Sequence, residues 1–428
     1  MMDIQFVREN PELMREVARQ KGIDVDIARL LDIDVTRRET LKQREKLRQQ
    51  RNQVSKAIAQ LAHKGQTNGP EAARLKDHVR TVNAELAEVE HRWLAAQQEY
   101  DALMLLVPNI VSPDTPIGAS DADNVELRRV GDLPQFSFDP LDHVALGERL
   151  EILDIVRGVK VAGSRGYFLK GGGLHLHRAV QQLAIELLNE RGFTVMDVPV
   201  MVREEALSHT GFFPLGADQT YQLPADDLYL VGTAEAPLVS YFSGEIVDVS
   251  RPIRVAGVSN CFRREAGSAG RDVRGLYRVH QFAKVEQVVI CEHDIGVAEK
   301  LLSEMTQNAE DLLQALELPY RVVAVCTGDM SQKNYKQFDI ETWMPSRNSY
   351  GETHSSSLLL DFQARRANIR CRDKDGQLQY GYTLNNTAVA SPRILIPLLE
   401  VHQRRDGSVG IPAALQRYMH GVTELKPR

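Results

Sequence analysis

The sequence predicts an α+β protein in which an N-terminal antiparallel helical hairpin (a coiled coil) precedes a domain built on an antiparallel sheet flanked by helices. Three observations carry this. Apolar residues between 71 and 106 recur by fours and threes for more than four heptads. The stretch PNIVSPDTPIGASDADN (108–124), rich in Pro, Asp and Ser, then breaks the pattern. After about Asp139, strand-like runs are separated by long loops and hairpin-like stretches, which favours antiparallel over doubly wound parallel pairing. The expected division is an N-terminal domain at 1–107, a linker at 108–139 and a second domain at 140–428.

Residues 1–34 read as a helical lead-in. Residues 36–64 hold no Gly or Pro, and Leu47, Val54 and Leu61 recur at sevens. KGQTNGP (64–70) supplies turn chemistry. Leu75, Val79, Val82, Leu86, Val89, Trp93, Ala96, Tyr100 and Leu103 then form an a/d seam, the pattern of a helix lying on one partner. The short turn makes the first run that partner, so an antiparallel hairpin follows, with helices of roughly 30 residues or roughly 45 Å. Farther on, helical patterns fall near 141–158, 174–191, 294–317, 393–403 and 412–420. Strand-like runs fall at Thr194–Val198, Arg254–Val258, Val285–Cys291, Tyr320–Val325 and Tyr380–Leu384.

The 428 residues allow two or three domains of ~150 residues. With 43% hydrophobic and 26% charged residues, wholesale disorder is excluded. Cys261, Cys291, Cys326 and Cys371 are scattered, with no CxxC, against a zinc finger or disulfide scaffold. No run approaches the ~20 apolar residues of a membrane span, and the N-terminus lacks an apolar signal core; a cytoplasmic protein is expected. The net charge is −6, yet residues 36–64 hold nine Lys/Arg against Glu39 and Glu45. Those charges either solvate the coiled coil or form a phosphate-binding surface.

There is no GxxxxGK[ST] and no strand–GxGxxG–helix unit. Gly171–Gly173, before a helix, reads as a flexible turn, and His175 and His177 do not share a helix face as metal ligands would. The informative segment is CFRREAGSAGRDVRGLYRVHQFAKVEQVVI (261–290), read as strand, Gly-rich basic loop, strand. Arg263, Arg264, Arg271, Arg274 and Arg278 crowd around that loop, with Glu265 and Glu286 flanking it. Such guanidiniums suit a polyphosphate or an RNA end. YGETHSSSLLLDFQARR (350–366) sets Glu352 near a row of hydroxyls, an oxygen set that can hold Mg²⁺. In TLNNTAVASPRILIPLLEVHQ (383–403), Ser391-Pro392-Arg393 opens a helix, where the backbone already favours anions.

In this order, RGFTVMDVPVMV, CFRREAGSAGRDVRGLYRVHQF and TLNNTAVASPR resemble the three signature motifs of class II aminoacyl-tRNA synthetases. VGTAEAPL (231–238), HQFAKVEQ (280–287), DFQARRANIRCRD (361–373) and the helical hairpin bring the resemblance closest to seryl-tRNA synthetases of the bacterial type, over nearly the whole chain. The resemblance implies a class II catalytic domain. It implies activation of serine by ATP to seryl-adenylate, then transfer to the 3′ end of tRNA(Ser), and of tRNA(Sec) where present. It also implies a homodimer. A paralogue activating serine for a non-tRNA acceptor is the alternative.

By the same resemblance, Arg263, Glu265 and Arg393 would be catalytic. Thr233, Ala234, Glu235, Arg263, Glu286 and Thr387 would bind serine, its ammonium at Thr233 and Glu235 and its hydroxyl at Glu286 and Thr387. ATP would meet Arg263, Arg264, Glu265, Val279, Phe282, Glu352, Thr353, His354, Ser355 and Arg393, with Mg²⁺ on Glu352 and Ser355. The hairpin would grip tRNA through Arg37, Arg38, Lys42, Arg44, Arg48 and Arg51. After Glu352 the chain reads THSSSL where the family reads VSSCSN, so His354 and Leu358 replace a serine and an asparagine. Arg264 likewise stands where serine is frequent.

Overall fold

The computed structural model describes residues 1–267 and 274–427, so Arg271 lies outside the described residues. The chain divides into two compact units. One comprises Met2–Arg19 and Ile23–Val107; the other comprises Pro108–Arg428 with Met1 and Gln20–Gly22.

The smaller unit is dominated by α1 (Ile27–His63) and α2 (Pro70–Leu106), 37 residues each, about 55 Å at 1.5 Å per residue. The first helix starts well before Thr36 because Asp26 caps it, its carboxylate accepting from the Arg29 N–H. Pro70 opens α2, where its missing N–H is harmless. The predicted seam is the sheltered face: Val82, Leu86, Val89 and Ala96 are buried and Leu75, Val79, Trp93, Tyr100 and Leu103 half-buried. Across it Arg29 meets Glu99, Arg37 lies over Tyr100, Arg44 over Trp93, and Arg48 meets Glu90. From Arg37 through Arg44 to Arg48 the partners run back from Tyr100 through Trp93 to Glu90, so the hairpin is antiparallel.

The larger unit is built on an eight-stranded sheet. Its strands are β1 (Val125–Val130), β2 (Thr194–Asp197), β3 (Ile253–Phe262), β4 (Gln281–Cys291), β5 (Tyr320–Ala324), β6 (Lys336–Met344), β7 (Ser349–Leu358) and β8 (Tyr382–Ser391). They are ordered β1-β5-β6-β7-β8-β4-β3-β2. Every pair is antiparallel except the parallel β2–β3 edge. Helices α3 (Gly172–Glu190) and α5 (Ile295–Ala315) supply Leu176, Val180, Leu301 and Leu312 to one core with Val285, Val289 and Leu384 of the sheet. The short α4 (Glu235–Ser240) supplies Leu238 and Val239 to a second cluster with Val288 and Ile290.

Residues 108–139, expected to be a linker, contribute the edge strand β1, paired with β5. The sequence reading found neither β6 nor β7. Both bury polar side chains, among them Asp339, Thr342, Thr353, His354, Ser356 and Ser357, so the apolar alternation that marks a strand is absent. For the same reason β8 runs on to Ser391, through buried Asn385 and Asn386, where Tyr380–Leu384 was expected.

Two bulges interrupt the central ladder. One sets Ile340–Glu341 of β6 against His354–Glu352 of β7; the other sets Thr387–Val389 of β8 against Glu286–Val285 of β4. An extra residue turns the side chains beyond it to the other face. Residues three apart lie on opposite faces of a regular strand. The first bulge therefore brings Glu352 and Ser355 to one side.

Candidate active site

The long hairpin partners β3 and β4 carry the arginine loop at their ends and continue pairing beyond β3, the Arg263 N–H donating to the His280 carbonyl at 3.0 Å. Arg263 thus enters a cleft whose walls include Glu265, Tyr277, Arg278, Val279, Phe282, Lys284, Glu352, Thr353, Thr387 and Arg393. Its guanidinium stands 5.3 Å from the centre of the Phe282 ring and donates to the Gly232 carbonyl at 3.4 Å. Glu265 has a positive φ of 52° and accepts from Arg278 at 3.2 Å. Across the cleft Arg393 stacks over Tyr277 at 4.5 Å. It donates to the carbonyls of Tyr277 and Glu352, both at 3.1 Å, and its Nη1 lies 3.7 Å from the Glu352 carboxylate. Backbone carbonyls consume one edge of the fork and leave a positive charge aimed into the cleft.

Behind these cations lie two buried carboxylates. Glu286 on β4 faces Thr387 on β8 directly, and the Thr387 hydroxyl donates to Glu286 Oε2 at 3.2 Å. Lys284 Nζ reaches the same oxygen at 2.6 Å. Burial pushes the Glu286 carboxyl above its usual range; Lys284 opposes this and the charge of Glu235 adds to it. The two acids are therefore near neighbours. Glu235 opens α4 and is 3% exposed. Thr233, also buried, accepts the Glu235 N–H at 3.3 Å through its hydroxyl. The Ala234 side chain sits in the core, leaving only its backbone for a ligand.

Not every expected contact faces the cleft. The Arg264 side chain is exposed and does not line it. His354 is 1% exposed, its Nδ1 within 2.8 Å of the Thr353 hydroxyl, and burial holds it neutral with a pKa lowered to about 3. Ser355 Oγ accepts from Gln337 at 3.1 Å. Opposite Ser355 on β6 is Asp339, a buried carboxyl pushed up to about 8 by desolvation and by the charge of Glu352. Of the two histidines set aside as metal ligands, His177 Nδ1 lies 2.8 Å from the Ser391 hydroxyl and the His175 ring meets His420 edge-on.

On the arm, Arg44 lies over Trp93 with its side chain only 13% exposed, and Arg37 lies over Tyr100. Arg38 pairs with buried Asp34, and Lys42 faces solvent. Arg48 and Arg51 line a shallow groove with Lys56 and Glu90.

Sequence reasoning missed Asp339, Tyr277, Lys284 and Lys333 as members of the site. Lys284 lies within the HQFAKVEQ string and alternates with Glu286 on one strand face, a legible signal. Lys333 reaches Glu235 across 98 residues and had none.

A cleft of converging arginines over an antiparallel sheet defines a class, and a family model described as "tRNA synthetase class II core domain (G, H, P, S and T)" matches residues 220–402. The fold is that of a class II aminoacyl-tRNA synthetase. A second model, "Seryl-tRNA synthetase N-terminal domain", matches residues 1–111. The chain is 46% identical over 426 residues to a serine–tRNA ligase of Deinococcus radiodurans, covering 98% of each. It also superposes on a seryl-tRNA synthetase from Pyrococcus horikoshii solved with ATP, with TM-score 0.89, 36% identity and 100% of both chains covered. A cytoplasmic serine-tRNA ligase from Naegleria fowleri solved with AMP gives TM-score 0.85 at 27% identity, covering 100% of this chain and 99% of that one. The chain belongs to the seryl-tRNA synthetase family.

Proposed function

We propose that this chain is a ligase that joins serine to tRNA(Ser) in two steps within the cleft described above, and that it charges tRNA(Sec) where that tRNA exists. The observation that carries the reading is the convergence of Arg263, Glu352 and Arg393 on one cleft, backed by Glu286 and Thr387.

In the first step the serine carboxylate attacks the α-phosphorus of ATP in line, and pyrophosphate leaves. Arg263 would bridge the attacking carboxylate and the α-phosphate, a fixed cation where charge develops. Phe282 and Val279 offer a ring and an apolar wall to the purine, Glu265 orients the nucleotide, and Arg393 meets the terminal phosphates. Glu286 Oε2 is already engaged by Lys284 and Thr387, so its other oxygen would accept from the serine hydroxyl. An alanine-sized competitor would leave that buried acceptor unpaired. In the second step the terminal tRNA hydroxyl attacks the seryl carbonyl and AMP leaves.

The oxygen donors at Glu352 and Ser355 fit a hard divalent cation, and Glu352 already raises the proton affinity of buried Asp339, a repulsion a cation would relieve. Glu352 and Ser355 would hold Mg²⁺, which when bound would neutralise phosphate charge. The exposed cations of the arm would meet the phosphates of tRNA. A homodimer belongs to the same reading, and exposed Val156, Val159 and Val161 on the short helix Ile155–Ala162 offer it apolar surface. Among the described residues no helix is long and apolar enough to cross a membrane, and a cytoplasmic location fits the reading.

A pyrophosphate-exchange panel over serine, threonine, alanine, glycine and cysteine tests the assignment. Exchange confined to serine is expected; robust exchange with another amino acid and none with serine would overturn it. Deleting residues 36–106 should abolish charging of tRNA(Ser) while sparing exchange.

A further inference from the structure

The two acids of the amino-acid pocket each carry a lysine, but in different ways. On Glu286 the Lys284 and Thr387 contacts both fall on Oε2. On Glu235 both oxygens are taken: Lys333 Nζ lies 2.6 Å from Oε1 and 2.7 Å from Oε2. Oε1 also accepts from Gln363 Nε2 and Asn385 Nδ2, each at 2.6 Å. A carboxylate offers about four lone-pair sites, two on each oxygen; Oε1 is crowded by three donors, and Oε2 is held by Lys333. An incoming α-ammonium directed at Glu235 meets an ammonium already seated.

The three donors are not equally fixed. Asn385 stands on β8, and Gln363 is braced by donating to the Thr210 carbonyl at 3.1 Å and accepting from the Thr383 hydroxyl at 2.9 Å. Both amides are neutral and have no reason to leave. Lys333 comes from the segment between β5 and β6 on a four-carbon stem. Its backbone is pinned: Asn109 Nδ2 donates to the Lys333 carbonyl at 2.9 Å. Lys21 Nζ reaches the carbonyls of Ser331, Gln332 and Asn334 at 3.4, 3.3 and 2.6 Å. The side chain is not enclosed. It is 12% exposed, and its ammonium lies 4.6 Å from the centre of the Phe212 ring, a π-face that offers a cation a second partner. Leaving Glu235 would need only a side-chain rotation on a fixed loop.

We propose that Lys333 is a resident competitor for the α-ammonium seat: it neutralises Glu235 while the pocket lacks amino acid and must swing off before serine can bind. This rests on the reading of Glu235 as the ammonium partner of serine. It makes Lys333 a specificity-determining residue, because only a ligand that brings its own cation compensates Glu235 for the loss. A hydroxy acid of the same shape, such as glycerate, does not. The apparent serine affinity is reduced by the fraction of molecules in which Lys333 holds the seat.

The test is pyrophosphate exchange with Lys333→Met, which keeps the apolar stem and deletes the charge. The KM for serine should fall about threefold or more, with kcat and the KM for ATP unchanged. Inhibition by glycerate should not strengthen. Lys333→Arg, a planar fork that grips a carboxylate by both oxygens, should raise the KM for serine. A folded Lys333→Met enzyme with an unchanged or higher KM for serine would overturn the proposal. A variant-free measurement covers misfolding: acylation of Lys333 by a small amine reagent, followed by mass spectrometry, should quicken when serine is added to the wild-type protein. Protection or an unchanged rate would likewise overturn it. Absence of serine-dependent exchange in the wild-type protein would instead refute the activity assigned above, independently of Lys333.

Discussion

The arm and the cleft both depend on arginine and lysine, and they use them in opposite ways. On the arm, Arg44 covers Trp93, Arg48 meets Glu90 across the hairpin, and Lys42 faces water. These charges are spread along a helix, and each acts nearly alone. In the cleft, Arg263 and Arg393 are held by backbone carbonyls and aim at a shared volume, while Lys284 and Lys333 sit on buried carboxylates. An exposed pair contributes roughly 0–1 kcal/mol; a fixed cation in a water-poor site can hold several kcal/mol of developing charge. The lesson is that residue type says little about how much a cation matters until its surroundings are known.

The largest effect should come from Arg263→Ala, with serine-dependent pyrophosphate exchange falling by about 10³-fold. Undiminished exchange would make the cleft no different from the arm. Next is Glu286→Ala, for which kcat/KM with serine should fall by about 10²-fold while the weak reaction with alanine barely changes. An equal loss for both amino acids would mean that Glu286 does not read the hydroxyl.

A third experiment concerns protons. Buried His354 and half-buried His177 have pKa values lowered to about 3 and about 4, chiefly by desolvation. Below an unfolded pKa near 6.5 the unfolded chain binds protons that the fold refuses. Stability is then full above about pH 6.5 and falls as the solution is acidified toward the folded values, by about 1.4 kcal/mol per pH unit for each group. Denaturant melts between pH 7 and 5 should show His354→Asn flattening that acid limb; an unaltered slope would show that His354 is not buried neutral. The smallest effect belongs to the arm. Replacing Arg38 and Lys42 by alanine should raise the KM for tRNA(Ser) about tenfold and weaken its salt dependence, with exchange unaffected. A loss of exchange there would erase the contrast with the cleft.

How far the fold could be read depended on how local its causes are. The seam from Leu75 to Leu103 predicted a hairpin because a helix repeats its environment every turn, and Trp93 and Tyr100 indeed shelter there. The ends of the 261–290 hairpin were legible because Gly and Arg punctuate it. Strands β6 and β7 were not, since Asp339, His354 and Ser356 are buried polar groups that break the apolar alternation of a strand. The Arg263, Glu286 and Arg393 positions were marked by motif, but nothing in the motif said that Arg44 would turn inward.

The amino-acid sequence alone determined the helical arm, the preference for antiparallel strands and the identity of the residues near the arginine loop, because each follows from periodicity, turn chemistry or a contiguous string. Tertiary structure alone decided that a bulge opposite Ile340–Glu341 brings Glu352 and Ser355 to one face, that Glu235 and Glu286 sense one another, and that Lys333 closes on Glu235 from 98 residues away. Those outcomes depend on register and on charges meeting in a dry interior, where the energy of a contact is set by what surrounds it and not by its distance along the chain.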